Sequence, residues 1–237
     1  MKIKNCIKLI FAIITFGVSI VSIQEYLITK TKEIGLQKTE ITDGKFRNEF
    51  FSDQQRKKME LYSEECKTIL RNVEKDVSYF PVAESSVDKA LKTSFVDSWM
   101  SERTFGGKRG HEGTDIMVSK NQRDLYPVVS MSSGTVTNLG WIEKGGYRVG
   151  ITSDSGVYYY YAHLSSYSNI ENGMRVKAGD LLGFVGDSGY GKEGTVGKFP
   201  VHLHVGIYIY DMGYELSLNP YNILCYLENK KLKYAYF

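Results

Sequence analysis

The run Val201-His202-Leu203-His204-Val205-Gly206-Ile207-Tyr208-Ile209-Tyr210 alternates apolar residues with histidine, glycine and tyrosine. A period of two belongs to a strand and not to a helix. Read as a strand, it turns Val201, Leu203 and Val205 toward a core and sends His202 and His204 out together on the opposite face. Two imidazoles fixed side by side on a sheet suit a metal ion, because a sheet holds ligand positions more rigidly than a loop does.

Working outward, short β-rich runs recur between turn signals from Tyr79 onward, at residues 128–130, 134–139, 147–153, 157–163 and 181–185. This pattern predicts a mainly β fold, an antiparallel two-sheet sandwich or barrel-like domain. Asn219-Pro220 closes the last run, and a short terminal helix is expected over 221–228. The four histidines of the chain, His111, His163, His202 and His204, all fall in this β-rich part. A single histidine is ordinarily a satisfied core or surface residue, and that bland reading must here account for all four.

The segment Gly110-His111-Glu112-Gly113-Thr114-Asp115 supplies further donors. Gly113 and the β-rich surroundings predict a folded loop or strand entry over a helical turn. Together with His204, the residues His111 and Asp115 give two imidazoles and a carboxylate. That is a recurrent set for catalytic Zn²⁺, which keeps a fourth position for water. Glu112 is a competing oxygen ligand. His163 ends the run Val157-Tyr158-Tyr159-Tyr160-Tyr161-Ala162-His163. Strict alternation places Tyr159, Tyr161 and His163 on one face, adding a fourth imidazole and an aromatic groove wall.

The rest of the chain is bounded by composition. Its 237 residues, 42% hydrophobic and 24% charged, are those of one folded domain with additions, and a formal net charge of +3 argues against nucleic-acid binding. Lys2, Lys4 and Lys8 precede an uncharged apolar stretch at residues 9–23. Residues 1–28 are therefore expected to be a signal-anchor segment that exports the remainder of the chain and holds it at the cell membrane. Residues 29–80 read as a polar stalk. Within it Met59, Tyr62, Cys66, Ile69 and Val73 repeat at steps of three and four, the mark of an amphipathic helix. Cys6, Cys66 and Cys225 are too few for a disulfide framework, and only a Cys66–Cys225 pair stays open.

In these motifs the sequence resembles the lysostaphin-type, or LytM-like, zinc endopeptidases over residues 81–228, with a basic, aromatic tail at 229–237. Gly110-His111-Glu112-Gly113-Thr114-Asp115 resembles the first metal motif of that family. Tyr161-Ala162-His163-Leu164 resembles its second histidine motif, and His202-Leu203-His204 its third. The resemblance implies a β fold with an open groove, one Zn²⁺ on His111, Asp115 and His204, and catalytic roles for His163 and His202. It further implies peptidoglycan peptides as substrate. One histidine would serve as general base and the other would stabilise the oxyanion. The glycine-rich segment 186–197, with Gly189 and Tyr190, is expected to flank the groove. It is longer than the usual link to His-x-His, and Val201 stands where the family commonly has proline. A scaffold that docks a protein partner in an envelope complex without cutting is the alternative, opposed by the retention of all five site positions.

Overall fold

The computed structural model describes residues 36–37, 64–211 and 213–237, so the expected signal-anchor segment and most of the stalk lie outside the described residues. No helix among the described residues is long and apolar enough to cross a membrane.

Most of the strands form one branched, ten-stranded network. Its long path runs from β11 (Arg175–Val176) through β8 (Gly134–Ile142), β9 (Gly146–Thr152), β10 (Tyr158–Tyr167) and β13 (His202–Asp211) to β6 (Thr114–Val118) and β3 (Thr93–Ser94). Every pairing in it is antiparallel. Off this path, β12 (Leu181–Val185) pairs with β10 and with β7 (Pro127–Val129), and β14 (Tyr214–Leu218) pairs with β13. The ends of the path do not meet, so the barrel-like closure expected from the sequence does not occur. A two-stranded ribbon of β4 (Glu102–Arg103) and β5 (Arg109–Gly110) precedes β6. A three-stranded patch joins β1 (Leu36–Gln37), β15 (Lys233–Tyr234) and β2 (Glu84–Ser85).

Alternation decides which face of this network is dry. Along β13, Leu203, Val205, Ile207 and Ile209 are fully buried, and Val201 just before it is nearly so. Along β9 and β10, Val149, Ile151, Tyr159, Tyr161 and Leu164 join the same core. At about 25 cal/mol per Å² of apolar surface, such a layer is the main favourable term in folding. The core also reaches beyond the expected domain limits. Val73, Val77 and Phe80 belong to it, and so do Leu232, Tyr234 and Tyr236 near the C-terminus. The last nine residues therefore pack as part of the domain and not as a tail, since alternate residues there turn inward.

Helix α1 (Glu64–Asp76) is the described end of the predicted amphipathic helix. Its last turn is tied to the sheet by the Asp76 carboxylate, which accepts hydrogen bonds from the Ser153 hydroxyl at 2.7 Å and the Tyr159 hydroxyl at 3.3 Å. The short α2 (Tyr221–Leu227) follows Pro220 and buries Ile223, Leu224 and Leu227. Among the described residues Cys225 is a free, exposed thiol.

Candidate metal centre

The register between β13 and β6 builds the site. His204 lies directly opposite Asp115, and His202 opposite Met117. His111 arrives from the end of β5 through Glu112 and Gly113, the strand entry that the glycine predicted. Three ligand atoms converge as a result. His111 Nε2 is 2.9 Å from His204 Nδ1 and 3.0 Å from Asp115 Oδ1, and His204 Nδ1 is 3.0 Å from the same oxygen. These three residues form a group able to hold a metal ion. Glu112 is exposed and outside that group, although it lines the surrounding cleft.

The orientation of each ring follows from its second nitrogen. His111 Nδ1 faces the Ser98 carbonyl oxygen at 3.2 Å, and a carbonyl can only accept. The proton therefore sits on Nδ1, and in the neutral ring Nε2 presents a lone pair to the Asp115 carboxylate. Two acceptors face each other at 3.0 Å. Such an arrangement needs positive charge between them, from ring protons or from a cation. Burial opposes the protonated form of His204, pulling its pKa below the ordinary histidine value. A cation on neutral rings satisfies both demands, and two nitrogens with one carboxylate oxygen suit Zn²⁺. Burial alone would raise the Asp115 carboxyl. The imidazole rings packed against Oδ1 outweigh it, holding the group far below the usual carboxylate range. The other carboxylate oxygen, Oδ2, accepts from Arg103 Nη2 at 2.9 Å, which leaves Oδ1 for the centre.

His202 and His163 stand beside these ligands with a common design. His202 Nδ1 donates to the Pro200 carbonyl at 2.7 Å and His163 Nδ1 to the Ser188 carbonyl at 2.8 Å. In each neutral ring the remaining Nε2 is then an acceptor. The two ring centroids are 4.8 Å apart, and His202 Nε2 is 3.7 Å from Asp115 Oδ1. His163 is held neutral chiefly by burial, which pushes its pKa well down. Its φ of +64° is left-handed, a sparsely populated region for a side-chain-bearing residue.

That left-handed residue corrects the expected groove wall. Between Tyr161 and Leu164, β10 advances three residues while β9 advances two, from Val149 to Tyr147. The extra residue is a β-bulge, and it shifts the phase of alternation. Tyr159 and Tyr161 therefore face the core, fully buried, with the Tyr161 hydroxyl accepting the Met131 N–H at 2.8 Å. The cleft wall is instead Tyr158, Tyr160, Ala162 and His163. Tyr190 does line the cleft, stacked on Phe105 with centroids 4.2 Å apart. Gly189 does not. It is buried with φ +123°, and a Cβ there would meet the Gly146 nitrogen and Lys144 oxygen at 2.9 Å. The first part of segment 186–197 is thus packed, with Asp187 paired to Arg123 and its Oδ2 accepting the Gly197 N–H at 3.1 Å. The cleft has a volume of about 710 Å³. Sequence reading missed Arg103, Tyr158, Tyr160 and Phe199. Tyr158 and Tyr160 were within reach had a bulge been placed at Ala162-His163, but nothing in the local pattern marks Arg103.

Residues 109–220 match the model of peptidase family M23. The chain is 43% identical over 129 residues to the L-Ala–D-Glu endopeptidase of Bacillus subtilis (strain 168), covering 54% of this chain and 38% of that protein. It is 35% identical over 116 residues to the glycyl-glycine endopeptidase ALE-1 of Staphylococcus capitis, covering 44% of this chain and 31% of that one. Among solved structures it is similar to a LytM-type protein of Ruminococcus gnavus, described as a candidate glycyl-glycine endopeptidase. The TM-score is 0.65 and the identity 60%, over 69% of this chain and 65% of that one. The chain thus spans under two-fifths of the length of either curated relative.

Proposed function

We propose that the protein is a zinc-dependent endopeptidase that hydrolyses peptide bonds of bacterial peptidoglycan, a reading supported by the match of residues 109–220 to peptidase family M23. The observation that carries this reading is the convergence of His111 Nε2, Asp115 Oδ1 and His204 Nδ1 within 3.0 Å, with two acceptor imidazoles alongside. The two curated relatives are endopeptidases of an L-Ala–D-Glu bond and of a glycyl-glycine bond, and those bonds differ in side-chain charge.

Zn²⁺ held by these three residues would supply Lewis-acid polarisation of a peptide carbonyl and acidify water to near neutrality, at about pKa 7. The chain's own residues do the rest. His202 Nε2, nearest the ligand atoms, takes the proton of the attacking water and returns it to the leaving amine. The oxyanion role expected for the second histidine would require a proton on His163 Nε2. Burial and the Ser188 carbonyl oppose that, so His163 serves as a second acceptor that orients the water. The apolar rings of Tyr190 and Phe199, 4.8 Å apart, shield this pair from bulk water. Export and membrane attachment through residues 1–28 belong to the same proposal, supported by the basic residues ahead of the apolar stretch.

The test is to purify the chain, measure bound metal, and follow soluble peptide release from peptidoglycan. His204→Ala is expected to lose both metal and activity. His202→Ala is expected to keep metal while kcat falls by about 10²–10⁴-fold. Metal-loaded protein that releases nothing from any peptidoglycan type would sink the reading.

A further inference from the structure

Three guanidinium groups line the cleft, and they are not equivalent. Arg103 is committed, with one nitrogen on Asp115 Oδ2 and another on the Ser101 hydroxyl at 3.0 Å. Arg109 and Arg148 are not. The Nε of Arg109 and the Nη1 of Arg148 are shut off from solvent, yet neither has a hydrogen-bond partner among the described residues. The only bond of the Arg109 side chain there is a long one, 3.5 Å, to the carbonyl of Gly110. Glu112 and Glu215 also line the cleft, but neither is ion-paired with these arginines, and Glu215 accepts the Tyr210 hydroxyl at 2.8 Å. Buried polar groups are nearly always satisfied, and a buried charge costs most of all when unpaired. Neither arginine is ion-paired among the described residues, so two half-buried positive charges of the cleft stay uncompensated and favour an anionic group brought from outside.

Their positions say where it would bind. Arg109 stands two residues before the ligand His111. Arg148 lies two residues from Gly150, which pairs with Tyr160, so it shares a sheet face with Tyr158 and Tyr160. The Tyr160 ring centroid is 5.9 Å from that of His204. Both arginines thus flank the metal centre along the groove. A planar guanidinium matches a carboxylate with two parallel N–H donors, whereas a backbone carbonyl takes one and leaves the charge uncompensated.

We propose that Arg109 and Arg148 form a carboxylate-binding subsite, which makes the substrate an acidic peptide with its carboxylate on the residue flanking the scissile amide. This inference rests on the hydrolase reading above. It excludes an uncharged glycine bridge as the preferred substrate.

The experiment compares the full chain, loaded with Zn²⁺, on the peptide L-Ala-γ-D-Glu-L-Lys, on the same peptide with the D-Glu α-carboxyl amidated, and on pentaglycine. Amidation removes one charge and almost no volume. It is expected to lower kcat/KM by about 10- to 100-fold, the range for losing a charge-assisted hydrogen bond. In Arg148→Gln and Arg109→Gln the acidic and amidated peptides should become equal within about 2-fold, through loss on the acidic one. Because those variants can fail to fold, binding is measured as well, by calorimetry with His202→Ala, where the acidic peptide should bind about 10-fold or more tightly than its amide. Equal turnover or equal binding of the acidic and amidated peptides overturns the subsite. Preferential binding of the acidic peptide by a protein that cuts no peptidoglycan upholds the subsite and removes the hydrolase reading instead.

Discussion

At Gly113 a Cβ would stand 2.4 Å from His204 Cε1 and 2.6 Å from the Val205 carbonyl oxygen. Both distances are closer than real atoms approach, and neither neighbour can yield, since one is the metal-facing ring and the other is sheet backbone. Gly113→Ala should therefore push the His204 ring off the ligand triangle. The expected loss in metal affinity is about 10–100-fold, as for other disturbances of ligand orientation, and it is read by zinc titration. The glycine was visible in the sequence as a mark of local irregularity. Its true reason is the close approach of a ring from a strand 91 residues later, and no local pattern carries that.

At the element scale, the decisive feature is the bulge in β10. It is pinned from outside the strand by Ser188, whose hydroxyl donates to the Leu164 carbonyl at 2.6 Å and accepts the Tyr147 N–H at 3.0 Å. The Ser188 carbonyl in turn holds His163. The residue is fully buried. Ser188→Ala would orphan two buried backbone groups, each costing about 1–3 kcal/mol. Chemical denaturation should show a loss of that order, with activity reduced further as His163 loses its registration. The strands themselves were legible: the runs at 134–139, 147–153, 181–185 and 201–210 match β8, β9, β12 and β13 to within a few residues. Alternation failed at Tyr159 and Tyr161 because it assumes an unbroken pleat, and one inserted residue reverses every side chain beyond it.

Across the whole molecule, the ends of the described chain are structural. Leu232, Tyr234 and Tyr236 are nearly or fully buried, and the Tyr236 hydroxyl donates to the Ala83 carbonyl at 2.8 Å. Full burial of such side chains is worth about 1.5–3 kcal/mol each, so removing residues 229–237 takes away roughly the whole stability of an ordinary domain. That truncation is expected to abolish the cooperative thermal transition by calorimetry. On the proposed zinc reading, added Zn²⁺ should act in the opposite sense, raising Tm with concentration through preferential binding to the assembled site.

The sequence by itself determined the β class, the helix after Pro220 and the shared facing of His202 and His204, all from local periodicity. Naming His111, Asp115, His163, His202 and His204 as one centre rested on donor chemistry together with the family resemblance, and the structure brings the five to one cleft. Only the tertiary structure decided that Arg103 secures Asp115, that Tyr158 and Tyr160 line the groove while Tyr159 and Tyr161 leave it, and that Arg109 and Arg148 have no ion-pair partner among the described residues. Those outcomes depend on the register between β6, β9, β10 and β13 and on one extra residue in a strand. Register is set by packing between segments far apart in the chain, a relation that no single stretch of sequence contains.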